Sequence, residues 1–519
     1  MPNSQTDAVF SLVKSLTKGE KRFFRLYVSR NAEAADAKFL RLFRLLDNMV
    51  VYDESKILKK EKTISAAQLS NLKAHLYNEL LVALRLLHSG KNIDIQIREQ
   101  IDFARLLYNR GLISQSLKQL DKVKALAMSS SHFVLALEIL EFEKLIEARH
   151  ITRSIKGRAE KLAAETDYIL KHIDEVSRLS NLSLQMYGLY LENGHVRNEN
   201  ESKEIRKFFE KRVKGIQFSQ ASFFGQVYLH QSYCWYYFIQ LDFARYYRHS
   251  KKWVTLFEKH PAAKKNDPLL YLKAIHNLLN ALFMTGRHEP LKMEIQKLEE
   301  IYQKEADQGE NFLAQAFVYL YTSKLNLHFL EGSFKDGIRI VAGIERDLKF
   351  FKRYIDVHRV MVFYYKIGCL YFGAGDNNNC ILYLSKIIHF KVGHLRSDIQ
   401  CFARILHLIA HYEAGNTDIL EHLLKSTYRF LARMEDMDEV QLAILKFLRR
   451  SLSPRVNDTK KEFSDLREEL RKLAKNKYAS RSYQYLDILS WLESKQQNQA
   501  VGEIIRKKFL EKKGGNNEP

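Results

Sequence analysis

Proline is nearly missing from this 519-residue sequence: there are six, Pro2 and Pro519 stand at the extreme ends, and none falls between Asn3 and His260. A proline inside a helix removes a backbone donor and costs about 3 kcal/mol, whereas loop-rich β proteins place prolines freely in their turns. So long a gap argues against a β fold and predicts an all-α chain. Cysteine is equally sparse. Cys234, Cys369, Cys380 and Cys401 show no C-x-x-C spacing and lie in apolar, aromatic surroundings. They read as reduced core thiols, not as a disulfide framework. Residues 1–18 lack the apolar segment of a secretory leader, and no run approaches the roughly 18 uncharged apolar residues that span a bilayer. The run from Val360 to Phe372 is broken by Lys366. No membrane insertion is expected, and the cytoplasm is the expected compartment.

The familiar signatures of catalysis are missing too. Gly90-Lys91-Asn92 lacks the upstream glycine and the Ser or Thr of a phosphate-cradling loop, and there is no G-x-S-x-G elbow, H-E-x-x-H helix or calcium loop. His407 and His411 are four apart and share a helix face, as a zinc site requires, but no third ligand is near and they read as packed histidines. Arg404 with His411, and Arg353 with His358, match the Arg and His spacing of a family of helical ribonucleases. Among 18 histidines and many arginines, chance supplies such pairs. No catalytic residue, metal ligand or cofactor is therefore assigned.

What is abundant points the same way. Leu, Lys, Glu, Ala and Arg dominate, residues that lose little side-chain freedom in a helix. Hydrophobic residues make up 46% and charged residues 28%, enough apolar surface for a core and enough charge for solubility. Formal net charge is +22, concentrated toward the ends, and favours acidic partners. Apolar residues recur at helical spacing, as in Phe39, Leu42, Phe43, Leu45 and Leu46, or Leu76, Leu80, Ala83, Leu84 and Leu87.

Glycine marks the breaks between these stripes. From Gly194 the steps to Gly286, Gly332, Gly375 and Gly415 are 92, 46, 43 and 40 residues, the first being twice the second. Gly111 to Gly194 is 83, again near two units, so further turns are expected near Gly157 and at Leu241-Asp242. Each unit would be a helix-turn-helix that buries its apolar face only by stacking on its neighbours.

The clearest unit is Tyr364 to Ile388, Y-Y-K-I-G-C-L-Y-F-G-A-G-D-N-N-N-C-I-L-Y-L-S-K-I-I. It resembles the tetratricopeptide repeat, whose aromatic, Leu-Gly, Tyr, Gly-Asp, small and bulky positions fall on Tyr364, Ile367-Gly368, Tyr371, Gly375-Asp376, Cys380 and Leu384. Ile387 stands where the family has alanine, implying an altered helix crossing. Ala104, Gly111, Ser116 and Leu120 repeat the order more weakly. The resemblance implies a right-handed α-solenoid of stacked hairpins. The expected division is an N-terminal helical cap over 1–92, hairpin repeats over 93–450, and a basic helical segment with a tail over 451–519. In the cap, helices are expected over Leu16–Tyr27, with Thr17 and Glu20 as a capping pair, Lys38–Met49 and Ser65–Leu87. His195–Lys203, His260–Pro268 and Ser451–Lys461 are expected loops, and Gly514–Pro519 a frayed tail.

One constellation suits partner recognition. Tyr233, Trp235, Tyr236, Tyr237, Tyr246 and Trp253 interleave with Arg245, Arg248, Lys251 and Lys252. Aromatic faces stack on bases or anchor peptide side chains, and arginines pair with phosphate or carboxylate. The competing reading is that consecutive aromatics in a hairpin array fill its core. The expected function is a non-enzymatic cytoplasmic scaffold or regulator that binds a protein or peptide segment, acidic by charge complementarity. A nucleic-acid or ribonucleoprotein binder is the second reading, and the helical, metal-independent ribonuclease the third.

Overall fold

The structure, a computed structural model, describes residues 7–31, 38–90, 92–150, 157–305, 309–390, 393, 396–434, 437–452, 459–478 and 487–515. Every regular element among the described residues is a helix, and none is long and apolar enough to cross a membrane. Helices pack neighbour to neighbour along the chain, as in a helical repeat array. By its contacts the chain divides into two compact units, Met1–Ile173 and Asp174–Pro519.

The first unit opens with α1 (Ala8–Ser15), α2 (Lys18–Asn31), α3 (Lys38–Asn48), α4 (Glu54–Lys60) and α5 (Ala66–His88). Phe24, Phe43, Leu42, Leu46 and Ile57 are fully buried between them. At the start of α2 the Thr17 Oγ1 accepts from the Glu20 amide at 3.2 Å while the Thr17 amide donates to the Glu20 carboxylate at 2.7 Å, a reciprocal capping box. α1 and α4 lie outside the helices expected from periodicity; both are short. Next come α6 (Ile93–Asn109), α7 (Ile113–Ser129) and α8 (Phe133–Arg149), three antiparallel neighbours of 17 residues each. The Ser116 hydroxyl donates to the Ala104 carbonyl at 2.8 Å, a contact between α6 and α7 that only small side chains allow. α9 (Arg158–Asn193) runs from the first unit into the second.

The second unit continues with α10 (Glu199–Val213), α11 (Phe223–Ile239), α12 (Phe243–Lys259), α13 (Pro261–Asn266), α14 (Pro268–Met284), α15 (His288–Lys304) and α16 (Glu310–Glu331). It proceeds through α17 (Phe334–Ile338), α18 (Val341–Phe350), α19 (Val357–Gly373), α20 (Asn377–Ile388), α21 (Ser397–Glu413), α22 (Thr417–Met434) and α23 (Glu439–Ser451). It ends with α24 (Thr459–Ala474), α25 (Ile488–Gln497) and α26 (Val501–Gly515). α10 and α13 occupy parts of the stretches read as loops at His195–Lys203 and His260–Pro268. Residues 453–458, with Pro454, and 516–519 lie outside the described residues. Pro261 and Pro268 open α13 and α14, and Pro290 sits in the first turn of α15. There the missing N–H has no intrahelical partner to lose.

One turn recurs between paired helices. Three residues link α6 to α7, α11 to α12, α14 to α15, α19 to α20 and α21 to α22, and the middle one is left-handed: Gly111, Leu241, Gly286, Gly375 and Gly415, with φ between 58 and 83°. The residue after it donates its amide back five positions, as from Asp242 to the Tyr237 carbonyl and from Asp376 to that of Tyr371, both at 2.9 Å. This bond ties off the last carbonyls of the first helix. The turn expected at Leu241-Asp242 is present, with a leucine in the strained position, whereas residues 151–156, before the turn expected near Gly157, lie outside the described residues. Between α19 and α20 a Cβ on Gly368 would stand 2.9 Å from Leu384, Cys380 is fully buried beside them, and Asp376 caps α20 by accepting from the Asn379 amide at 3.0 Å. Tyr371 stacks on Tyr383 at 5.6 Å, Tyr364 lies over Phe390, and Ile387 is buried in the crossing.

Candidate anion-binding cavity in the second unit

The first helices of successive pairs turn one face toward a common cavity of about 740 Å³. α14 contributes Lys273, His276, Asn277 and Asn280; α16 contributes Tyr319, Thr322, Asn326 and Phe329; α19 contributes Arg359, Val362, Lys366 and Cys369. Steps of three and four residues place each set on one side of its helix. Tyr187 and Tyr190 of α9 and Trp235 of α11 add an aromatic wall in which Trp235 lies 4.9 and 5.3 Å from the two tyrosine rings. α26 borders the cavity with Val501 and Ile505. Its approach depends on glycine: a Cβ on Gly502 would stand 3.0 Å from the Gly373 carbonyl, and one on Gly332 only 2.6 Å from the Arg506 amide nitrogen.

The cavity gathers cations. Arg396 is neutralised by a bidentate pair with Asp398, both contacts 2.7 Å, and its remaining nitrogen lies 2.9 Å from His358 Nε2. Arg359 contacts Gln315 and reaches the exposed Asp356 at 3.5 Å, with its guanidinium 5.6 Å from the Tyr319 ring centre. Lys366 donates to the Asn326 amide oxygen at 2.5 Å and lies 5.4 and 5.6 Å from the Phe329 and Phe283 ring centres. Neither Lys273 nor Lys366 has a carboxylate within 4.0 Å among the described residues.

Burial and mutual repulsion lower the pKa values of these groups. Lys366 is lowered to about 8 by burial, with Arg396 adding to the effect, and Lys273 is lowered by burial and by Arg359. His276 is lowered to about 3, first by burial and then by Arg359, Lys273 and Lys366 together. Its ring stacks on Tyr319 at 4.1 Å, and its Nδ1 is buried with no hydrogen-bond partner. His358 falls to about 4 through burial and Arg396. The His276 imidazole is therefore neutral, buried and in the same cavity as three cationic side chains.

Of the ten residues singled out by sequence for partner binding, Trp235 and Tyr246 line this cavity. Tyr236 stacks on Phe209 at 4.3 Å, Tyr233 on His249 at 4.5 Å, and Tyr237 lies near Tyr233 at 5.8 Å. Trp253 is fully buried. Arg245, Arg248, Lys251 and Lys252 are exposed, so the basic and the aromatic members of that stretch are not brought together on one surface, apart from Arg245 over Tyr237 at 5.5 Å. His407 and His411 are buried with rings 4.5 Å apart, and among the described residues no group of three His, Cys, Asp or Glu is arranged to hold a metal. Arg404 lies 3.6 Å from the Phe430 ring centre and donates to the Gln400 and Ile388 carbonyls. Lys273, His276, Tyr319 and Arg359 were not anticipated. The available signal was a lone cation inside an apolar helix, as in P-L-L-Y-L-K-A-I-H-N-L-L-N-A-L-F-M of α14.

No protein-family model matches the chain, and no curated protein is similar to it.

Proposed function

We propose that this chain is a non-enzymatic helical-repeat module of the tetratricopeptide type that works in the cytoplasm as a scaffold or regulator, holding an acidic segment of a partner protein in the cavity of its second unit. The observation that carries this reading is the pair Lys273 and Lys366, withdrawn from solvent with no carboxylate beside them in a space bounded by aromatic rings. A cation with no internal counter-charge costs folding free energy, and a bound acidic side chain offsets that cost only when the partner is present. The rings suit apolar residues flanking the acidic one. A cavity of about 740 Å³ accommodates a few side chains, and the helical faces leading into it extend the contact.

The test is fluorescence anisotropy of the intact chain with a Glu-rich, aromatic-containing decapeptide pool and with a single-stranded RNA decamer, each in low and high salt. Peptide binding that survives salt and weakens about tenfold in Lys273→Met supports the reading. Binding of RNA alone, weakening steeply with salt through counterion release, overturns it in favour of a nucleic-acid binder.

A further inference from the structure

Charge balance at the cationic end of the cavity narrows the ligand further. Most half-buried cations among the described residues have carboxylates of their own. Lys124 in the first unit lies 2.7 Å from both Glu143 and Glu165, and in the second Lys324 meets Glu299 at 2.5 Å and Arg396 meets Asp398. Lys273, Arg359 and Lys366 depart from that pattern. They reach the cavity from two helices, act together on the one ring of His276, and share between them only the exposed Asp356, 3.5 Å from Arg359.

We infer that the part of the cavity lined by Lys273, His276, Arg359 and Lys366 is a subsite for a doubly charged phosphoryl group carried on the bound peptide segment. This rests on the reading that the cavity takes an acidic segment, and it specifies which acidic group anchors it. A carboxylate brings one charge and two oxygens, which leaves at least one desolvated cation without a counter-charge. A phosphoryl group brings between one and a half and two charges at neutral pH and three strong acceptor oxygens, so it can answer more than one cation. Lysine ammonium groups and a guanidinium are the donors that such a group selects. His276 adds a neutral ring nitrogen, Nδ1, buried and without a partner in the fold. Tyr319, stacked on His276 and facing the Arg359 guanidinium, holds the imidazole in place. The aromatic wall of Tyr187, Tyr190 and Trp235 is left for the apolar neighbours of the phosphorylated residue.

The experiment measures affinities of the full chain for four decapeptide libraries that differ only at a fixed central residue: phosphoserine, phosphotyrosine, glutamate or serine. Inorganic phosphate is titrated separately and as a competitor. Expected is a preference of about tenfold or more for a phosphorylated library over the glutamate one. That preference should collapse in Lys366→Met and in Lys273→Met, persist in Lys366→Arg, and diminish when inorganic phosphate is added. Thermal melting confirms that each variant is folded. Glutamate binding as tightly as either phosphoresidue overturns the phosphoryl subsite and leaves the acidic-segment reading standing. Phosphate binding without binding of any peptide library overturns the peptide as its source and assigns the subsite to a free phosphorylated molecule. Absence of binding by every probe overturns both readings together.

Discussion

In the first unit Lys124 is enclosed by two carboxylates, Glu143 and Glu165, and Glu143 is itself fully buried; in the second, Lys366 meets an amide oxygen and two ring faces. Both are lysines drawn out of solvent on helices of repeated hairpins, yet only one has its counter-charge in the fold. The difference separates two uses of a buried cation. Around Lys124 the charges close a network with Arg158, which also pairs with Glu147 at 3.3 Å, and the network organises α7, α8 and the start of α9. Around Lys366 no such network closes, and the burial that lowers its pKa is a cost the folded chain bears alone.

Removing each lysine in turn separates the two roles. Lys124→Met strands the buried Glu143 carboxylate and is expected to destabilise the first unit by about 3 kcal/mol, read from urea unfolding. Lys366→Met removes a cation that has no carboxylate to strand and whose burial is itself a cost, and the variant is expected to be no less stable than the parent at neutral pH. Equal losses in the two variants would mean that Lys366 is a structural charge after all.

Titration sharpens the same contrast. Lys366 has its pKa lowered from 10.5 to about 8, so between those values the unfolded chain holds a proton that the folded chain has released. Stability then rises with pH across that window, by the sign of proton linkage, and this increment should vanish in Lys366→Met. Neighbouring Cys369 is pushed up to about 12 by burial and stays a thiol throughout. Affinity for an anionic segment should fall as pH passes about 8, because the lysine loses the charge that the ligand needs. Parallel denaturation and anisotropy series from pH 7 to roughly pH 10 measure both effects.

The smallest effect is expected from the exposed cations of α12. Replacing Arg245, Arg248, Lys251 and Lys252 with alanine should leave stability within about 0.5 kcal/mol for each substitution and alter peptide affinity less than about twofold at physiological salt. A large loss would return the recognition surface to the stretch that composition alone favoured.

That stretch illustrates where sequence reading stops. Aromatic residues at consecutive positions of α11 point to several sides of a helix, so their composition carries no information about which of them reaches a ligand. Tyr236 went against Phe209 and Trp253 into the core, while Trp235 went to the cavity. Lys366 was visible as the residue that interrupts an apolar run, but a break in one helix has no functional meaning until Lys273 of another helix lines the same cavity. Leu241 and Ser131 hold the left-handed turn positions elsewhere filled by glycine, so two turns carried no glycine to mark them.

What the amino-acid order determined by itself was local: helix from apolar spacing and the rarity of proline, and hairpin turns from glycines whose left-handed backbone follows from having no Cβ. These are properties of a few adjacent residues, so they survive without knowledge of the rest of the chain. Tertiary structure alone decided which helical faces meet, and with them which cations find a carboxylate and which face an open space. Charge compensation depends on distances between residues remote in sequence, and those distances exist only once the helices have packed.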